Sequence, residues 1–172
     1  NYAQAKSKNE PVEIAAVFDL AGTREATLDI IDGIKRSLQT AHYNSSKMRI
    51  TFYDSGSTPE GTKLAMEQVV KNRPDIIIAE HHSAKAEIAA NIAEKHKIVM
   101  LTTSATADSI TKNRKYVFRI GYTNSELGNS LALFAINKIK ASNAMVVHTS
   151  SDLYSNSLSK SWSGRFIANG GK

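Results

Sequence analysis

The amino-acid sequence predicts an α/β fold in which a mostly parallel sheet is flanked by helices. Two patterns predict this class: short, nearly continuous apolar runs rich in β-branched residues, and longer segments with helical periodicity. The two patterns alternate along the chain. Strands that are apolar on both faces need helices to cover them, and crossover helices make successive strands parallel.

The strand candidates are six apolar runs. Because these runs are nearly continuous and do not alternate with polar residues, they suit strands that are covered on both faces. The sequence therefore predicts strands at residues 12–18 (VEIAAVF), 48–53 (MRITFY), 76–79 (IIIA), 98–101 (IVML), 116–120 (YVFRI) and 144–148 (AMVVH).

Apolar residues at helical spacing mark the segments between and after these runs. In the first segment the shared stripe consists of Ala26, Ile30, Ile31, Ile34 and Leu38. Prolines mark two boundaries, near the start of the second helix and just before the third strand, where proline is tolerated. The predicted helices span residues 24–40, 59–71, 84–95, 125–139 and 155–169, the last closed by Asn169-Gly170-Gly171.

Composition limits the size of the protein and its partners. A chain of 172 residues, 41% of them hydrophobic, can bury one core. The net charge of +6 comes from scattered cations, which predicts a solvated surface and no nucleic-acid partner. Cysteine is absent, which excludes disulfides, zinc–thiolate sites and cysteine nucleophiles. No apolar run reaches the roughly 18 residues of a membrane-spanning helix, and residues 1–10 are polar, so we expect a soluble mature form whose signal peptide has been removed.

Small hydroxyl residues follow two of the predicted strands. Ser83 follows the third strand, and residues 102–106 (TTSAT) follow the fourth. Hydroxyls and free backbone N–H groups at helix starts can bind an anion such as a carboxylate without a charged side chain. Each Ser or Thr could also be a simple helix cap, and the sequence leaves that reading open.

Other kinds of chemistry find little support in the sequence. His81 and His82 are neighbours, which do not face the same way on a strand or helix, so we predict no metal site. The chain has no G-x-S-x-G motif, no complete dinucleotide-binding fingerprint and no Walker loop, and we predict no cofactor. Asp19 could act as a base but has no acid partner at a readable spacing, so a structural role at the strand end is the default.

Several stretches resemble one protein family in sequence and in order. They are VEIAAVFDLAG, YDSGSTPEGT, PDIIIAEHHSA, SATAD and KYVFRIGYTNSELG. Together they resemble the beginning of the leucine/isoleucine/valine-type periplasmic solute-binding proteins of ABC transport, the type I extracellular ligand-binding receptors. The resemblance covers nearly the whole chain. It implies two flavodoxin-like or Rossmann-like lobes that close over a small ligand, often an amino acid, without catalysis.

The resemblance also implies which residues bind the ligand. Ser83 and Thr106 would donate hydroxyl and backbone N–H bonds to a carboxylate, while the Ser104 carbonyl and the Thr106 hydroxyl would accept bonds from an ammonium group. Tyr154, after the sixth strand, would pack on the ligand from the second lobe. The implied ligand-binding set is Ser83, Ser104, Ala105, Thr106, Tyr154, Thr27 and His82.

Three departures from the family pattern concern the ligand pocket. Thr27 stands where an aromatic residue is frequent, which affects the size of the pocket. The segment 41–48 (AHYNSSKM) replaces a glycine-rich loop. Glu80, His81 and His82 replace small residues after the third strand, and at a cleft edge they would favour a polar ligand.

The resemblance divides the chain into four parts: a flexible N-terminus (residues 1–10), a first lobe (11–120), a hinge (121–125) and the beginning of a second lobe (126–172). We therefore expect a fragment of an exported, periplasmic or extracellular binding protein, with or without a lipid anchor. Its expected partners are a small ligand and the membrane subunits of an ABC transporter, and pairing with a second copy stays open. Two alternatives are a ligand-sensing domain of a receptor or regulator and a doubly wound hydrolase that uses Asp19 or Asp54.

Overall fold

Five strands form one parallel sheet in the computed structural model, which describes residues 10–20, 24–40 and 47–172. The strand order is β2-β1-β3-β4-β5, and every neighbouring pair is parallel. The strands are β1 (Val12–Phe18), β2 (Met48–Asp54), β3 (Ile76–Ala79), β4 (Val99–Thr102) and β5 (Val117–Arg119). This order is that of flavodoxin-like folds, and it confirms the predicted α/β class.

Helices follow most of the strands and cover the sheet. They are α1 (Arg24–Thr40), α2 (Pro59–Lys71), α3 (Ser83–His96), α4 (Asn124–Asn137) and α5 (Leu153–Ala168), with a 3-10 turn at Asp108–Ile110. None of the helices in the described ranges is long and apolar enough to cross a membrane. The five predicted helices and the first five predicted strands are confirmed within two residues at each end.

The helix starts have local causes. Thr58 caps α2 by accepting a hydrogen bond from the Gly61 N–H at 3.1 Å, and Pro59 follows it in the first turn. Thr123 and Glu126 form a reciprocal capping box at the start of α4. These caps begin the helices at the edge of the sheet where the strands end.

The core lies between the sheet and helices α2 and α3. Its largest buried side chains include Val17, Met66, Val69, Ile77, Ile98 and Met100. On α3 the apolar side chains that face the core are alanines: Ala86, Ala89, Ala90 and Ala93 are buried, whereas the larger Ile88 and Ile92 are half-buried. The small alanine side chains let α3 pack closely on the sheet.

The predicted sixth strand at residues 144–148 is wrong for the part of the chain that the structure describes. Met145 and Val147 are each 88% exposed, and the segment forms no ladder. Its backbone bonds involve Lys172, which donates to the Ser142 carbonyl and accepts from the Ala144 N–H, each at 2.9 Å. A strand is stabilised by a neighbour along its length, and one residue does not provide that neighbour.

Some predictions fall on residues that the structure does not describe. They include the flexible N-terminus apart from Glu10, the loop at 41–46 and the side chain of Ala26. The division into two lobes with a hinge at 121–125 stays a prediction.

Candidate ligand-binding site

The carboxyl ends of β3 and β4 bring the predicted hydroxyl residues together. Because both strands are parallel and adjacent, their following loops meet at one edge of the sheet. The Ser83 hydroxyl, at the start of α3, accepts a hydrogen bond from the Ala107 N–H at 3.3 Å. Ser83 therefore lies beside the loop at residues 103–107.

We call the Ser83 turn at the start of α3 and the loop at 103–107 the loop pair. Two of its features suit the binding of an anion. The Thr106 hydroxyl is buried and has no hydrogen-bond partner among the described residues. His82 is the N-cap of α3 but its side chain makes no capping bond, so no side-chain cap covers the first-turn N–H groups. An unpaired buried hydroxyl beside an uncapped helix start is an arrangement that can bind a carboxylate.

The side chain of Arg119, on β5, is hydrogen-bonded to the 103–107 loop. Its guanidinium donates to the carbonyls of Ala105 at 3.1 Å and Ala107 at 2.9 Å, and to the Thr111 hydroxyl at 3.3 Å. Burial lowers the pKa of Arg119 from its usual value. Because its guanidinium is bonded to these protein acceptors, Arg119 supports the loop. The residues of the loop are the ones available to contact a ligand. Ala105 is buried in this loop, whereas Ser104 is exposed.

Asn124 connects the loop to Tyr154, the predicted contact in the second lobe. The Asn124 N–H donates to the Thr106 carbonyl at 2.7 Å, and its side-chain amide donates to the Tyr154 carbonyl at 3.0 Å. Tyr154 is 43% exposed in the first turn of α5. Neither Asn124 nor Arg119 is among the site residues that the sequence predicts. A charge inside the apolar run YVFRI was the available signal for Arg119.

Thr27 and His82 lie in different surroundings from the Ser83 and Thr106 pair. Thr27 is fully buried, and its hydroxyl donates to the Asp19 carbonyl at 2.8 Å. His82 is exposed, and its ring centre is 4.3 Å from that of His81. Burial, followed by the nearby charge of His82, lowers the pKa of His81 to about 4, so this ring is neutral near pH 7. The described residues contain no group of three metal-ligating side chains.

Glu80 does not lie at a cleft edge, and the expectation that it would do so is wrong. It is fully buried, and its carboxylate faces the Lys85 ammonium at 3.6 Å. Its backbone has a φ of 48°, which turns the chain at the end of β3. Burial raises the pKa of Glu80, although the charge of Lys85 opposes the shift. The turn directs this side chain inward, where Lys85 on α3 can pair with it.

The two aspartates considered for an enzyme have structural roles. Asp19 is buried and accepts a hydrogen bond from Lys85 at 3.0 Å. Asp54 accepts backbone N–H bonds from Leu20 at 3.0 Å and Gly56 at 2.9 Å. Both carboxylates are committed to holding the loops after β1 and β2, which argues against hydrolysis at either.

The strand order of the parallel sheet, together with the two hydroxyl-containing loops at its carboxyl edge, is typical of one class of protein, the α/β ligand-binding lobe. The chain belongs to the periplasmic binding protein family, whose model matches residues 12–172. The resemblance noted in the sequence is thereby confirmed.

Individual relatives agree with this assignment. The Leu/Ile/Val-binding protein of Escherichia coli strain K12 is 26% identical over 133 residues, which cover 76% of this chain and 34% of that protein. The leucine-binding protein LivK of Thermotoga maritima MSB8 has a TM-score of 0.86 at 26% identity, covering 93% of this chain and 47% of that one. A benzoate-complexed solute-binding protein of R. palustris has a TM-score of 0.83 at 20% identity, covering 94% and 46%.

The chain spans about a third of the curated relatives and about half of the solved ones. The relatives are substrate-binding proteins and not enzymes, which confirms the prediction of a non-catalytic protein.

Proposed function

We propose that this chain supplies the first lobe of an extracytoplasmic solute-binding protein. In this proposal it captures an amino acid or a similar small polar ligand between two lobes. The captured ligand is then passed to the membrane subunits of an ABC transporter. The family to which the chain belongs supports this role and an exported location.

The observation that carries the proposal is the buried, unpaired Thr106 hydroxyl beside the start of α3. Leaving a buried hydroxyl without a partner costs about 1–3 kcal/mol, so a ligand that supplies the partner recovers this energy. Thr106 lies next to Ala107, whose N–H bonds the Ser83 hydroxyl. The Ser83 hydroxyl keeps its own proton, which can be donated to the same ligand.

A carboxylate is the ligand group that we propose for this position. Two cations that contact the loop pair, Lys85 and Arg119, are already bonded to protein acceptors. Recognition therefore depends on hydroxyls and helix N–H groups, which suit a single carboxylate. Solved relatives contain leucine, isoleucine and benzoate, and all three ligands carry a carboxylate. Tyr154, Thr27 and His82 remain proposed contributors to the remainder of the pocket.

A ligand-sensing domain of a receptor or regulator is the second candidate. It has the same fold and would use the same site, so it differs in partner and not in ligand chemistry. Asp19 and Asp54, the carboxylates that the hydrolase alternative would use, bond Lys85 and the Leu20 N–H, respectively, which argues against that alternative.

A thermal-shift screen of amino acids and small carboxylates against the native protein tests the proposal. We expect one class of carboxylate to raise the melting temperature, because ligand at a hundred times Kd stabilises a protein by about 2.7 kcal/mol. Ser83→Ala and Thr106→Val should each weaken binding about tenfold to a hundredfold, which is the usual worth of a hydrogen bond to a charged group.

Thr51→Val is the matched control, because Thr51 is exposed on the edge strand β2. This variant should bind like the parent protein. If the three variants bind a stabilising carboxylate equally well, the ligand does not occupy the loop pair. If no carboxylate or amino acid stabilises the folded protein, the proposed function is wrong.

A further inference from the structure

A buried ionic cluster lies at the carboxyl ends of β1, β2 and β3. We define it as Asp19, Glu80 and Lys85. The Lys85 ammonium is 3.0 Å from the Asp19 carboxylate, 2.9 Å from the Gly56 carbonyl and 3.6 Å from the Glu80 carboxylate. The side chain of Asp19 is 3% exposed, that of Glu80 is 0% exposed and that of Lys85 is 8% exposed. One ammonium group therefore joins the loops after three strands to the first turn of α3.

The Lys85 ammonium is directed at protein acceptors. It donates hydrogen bonds to the Asp19 carboxylate and the Gly56 carbonyl, whereas the Glu80 carboxylate, at 3.6 Å, is close enough for an ion pair but lies beyond hydrogen-bond distance. The cluster also occupies the point between β1 and β3 where the strand order reverses, a frequent ligand position in such sheets. Because the Lys85 side chain is buried and bonded within the protein, we expect its effect on a ligand to be indirect.

Hydrogen bonds run from the cluster to the candidate site. The Glu80 carbonyl accepts bonds from the hydroxyls of Thr102 at 3.0 Å and Thr103 at 3.4 Å, where the 103–107 loop begins. On the other side, Lys85 lies two residues after Ser83 on α3. The cluster thus touches both segments that form the site.

Thermodynamic stability alone is a weak reason for a protein to contain such a cluster. The free energy needed to remove charged groups from water offsets much of their mutual attraction. Well-packed apolar residues often stabilise a core as well or better. A network of charged hydrogen bonds does fix the relative placement of the segments that it joins. The cluster is therefore better suited to fix the positions of the two site loops than to stabilise the fold.

We propose that Lys85 is a positioning residue, which holds the Ser83 turn and the 103–107 loop in their ligand-binding arrangement through Glu80 and Asp19. This inference rests on the proposed function, but the placement of the loops can be measured without any ligand.

Amide hydrogen exchange in the ligand-free native protein measures that placement. The reporter amides are those of Ala107, which bonds Ser83, and Asn124, which bonds Thr106. Lys85→Met should speed their exchange at least about tenfold, while the amides of the β1 and β3 ladder keep their protection. Lys85→Arg keeps the charge and several donors, and should restore part of the protection.

Lys85→Met leaves two carboxylates facing each other, so a second variant guards against failure to fold. The triple variant Asp19→Asn, Lys85→Met, Glu80→Gln keeps similar volumes without charge. It should fold with a protected sheet and still show fast exchange at Ala107 and Asn124.

Glu94→Gln is the control at the opposite edge of the sheet, where Glu94 accepts the backbone N–H bonds of Lys115 and Tyr116. It should speed exchange near those residues and leave Ala107 unchanged. Uniform acceleration of all protected amides in the cluster variants, or no acceleration at Ala107, would overturn the positioning role.

Binding of L-leucine, as a probe, is then compared among the same proteins. If the parent binds L-leucine, the cluster variants should bind it at least about tenfold more weakly, and equal binding would overturn the proposal. If the parent does not bind L-leucine, the result bears on the proposed function only, and the exchange data decide the positioning role.

Discussion

At the residue scale, Glu80 combines features that rarely occur together in one side chain. It is fully buried, it carries a carboxyl group and its backbone is left-handed, an uncommon conformation for a residue other than glycine. Burial raises its pKa above the ordinary value of 4.5, and the nearby Lys85 charge limits the rise. The protonation of Glu80 is therefore linked to folding.

This linkage predicts how stability depends on pH. The protonated form of Glu80 suits the folded state better, so its contribution is complete below the ordinary pKa of 4.5. That contribution is lost as the pH rises through the higher pKa of the folded state. Glu80→Gln should reduce this loss, so the variant should gain stability relative to the parent as the pH increases.

Urea unfolding over a series of pH values checks this prediction. Each unit of pKa difference corresponds to about 1.4 kcal/mol between the two ends of the series. Glu67→Gln removes the same charge from an exposed position on α2 and should follow the parent curve. Parallel curves for the parent and Glu80→Gln would show that Glu80 does not titrate differently on folding.

At the element scale, the close approach of α4 and α5 depends on Gly128. A Cβ atom at this position would lie 2.9 Å from the Ser161 Cβ and 2.9 Å from the Trp162 backbone nitrogen. These distances are too short for carbon, so the two helices can pack in this way only where α4 has no side chain. Trp162 itself stacks on Phe166 with ring centres 4.6 Å apart.

Gly128→Ala should therefore destabilise the protein although alanine favours helices. We expect a loss of about 1–3 kcal/mol from overpacking, measured as the free energy of unfolding. Gly164→Ala is the matched change on α5, where an added Cβ meets nothing within 4 Å. It should be neutral or stabilise by up to about 1 kcal/mol, and equal effects of the two changes would exclude overpacking.

At the scale of the whole molecule, apolar exposure is concentrated after residue 117. The exposed large apolar side chains there include Phe118, Ile120, Tyr122, Phe134, Ile139, Met145, Val147 and Ile167. The core of the sheet, in contrast, is closed around β1, β3 and β4. The segment at 144–148 thus contributes little burial to this chain.

Substitutions at 144–148 should therefore have small effects on the stability of the chain of 172 residues. Met145→Lys and Val147→Lys should each change the free energy of unfolding by less than about 0.5 kcal/mol, because both side chains are already in solvent. Ile77→Ala, at a fully buried position of β3, should cost about 2–5 kcal/mol. If the substitutions at 145 and 147 cost as much free energy of unfolding as Ile77→Ala, the strand that the sequence predicts at 144–148 would be favoured instead.

The candidate site could be anticipated from the sequence only in part. Ser83 and Thr106 follow adjacent parallel strands, so a reader of the sequence can expect them to meet, although their contact with a ligand stays a prediction. Lys85 gave a weaker signal: it lies four residues before Ala89, on the buried stripe of α3. Asn124 gave none beyond its place at the start of a helix.

The sequence by itself determined the α/β class, the five strands of the sheet, the helices between them and the family, because periodicity and short-range motifs are local properties. Only the tertiary structure decided where Glu80 and Asp19 point, which residues Arg119 holds and that 144–148 lacks a ladder. Two of these outcomes depend on distant partners that no local pattern identifies: Asp19 bonds Lys85, 66 residues away, and Arg119 bonds Ala105, 14 residues away. The physical reason is burial, because a charged group removed from water is stable only beside a partner, and the fold decides which residue that is.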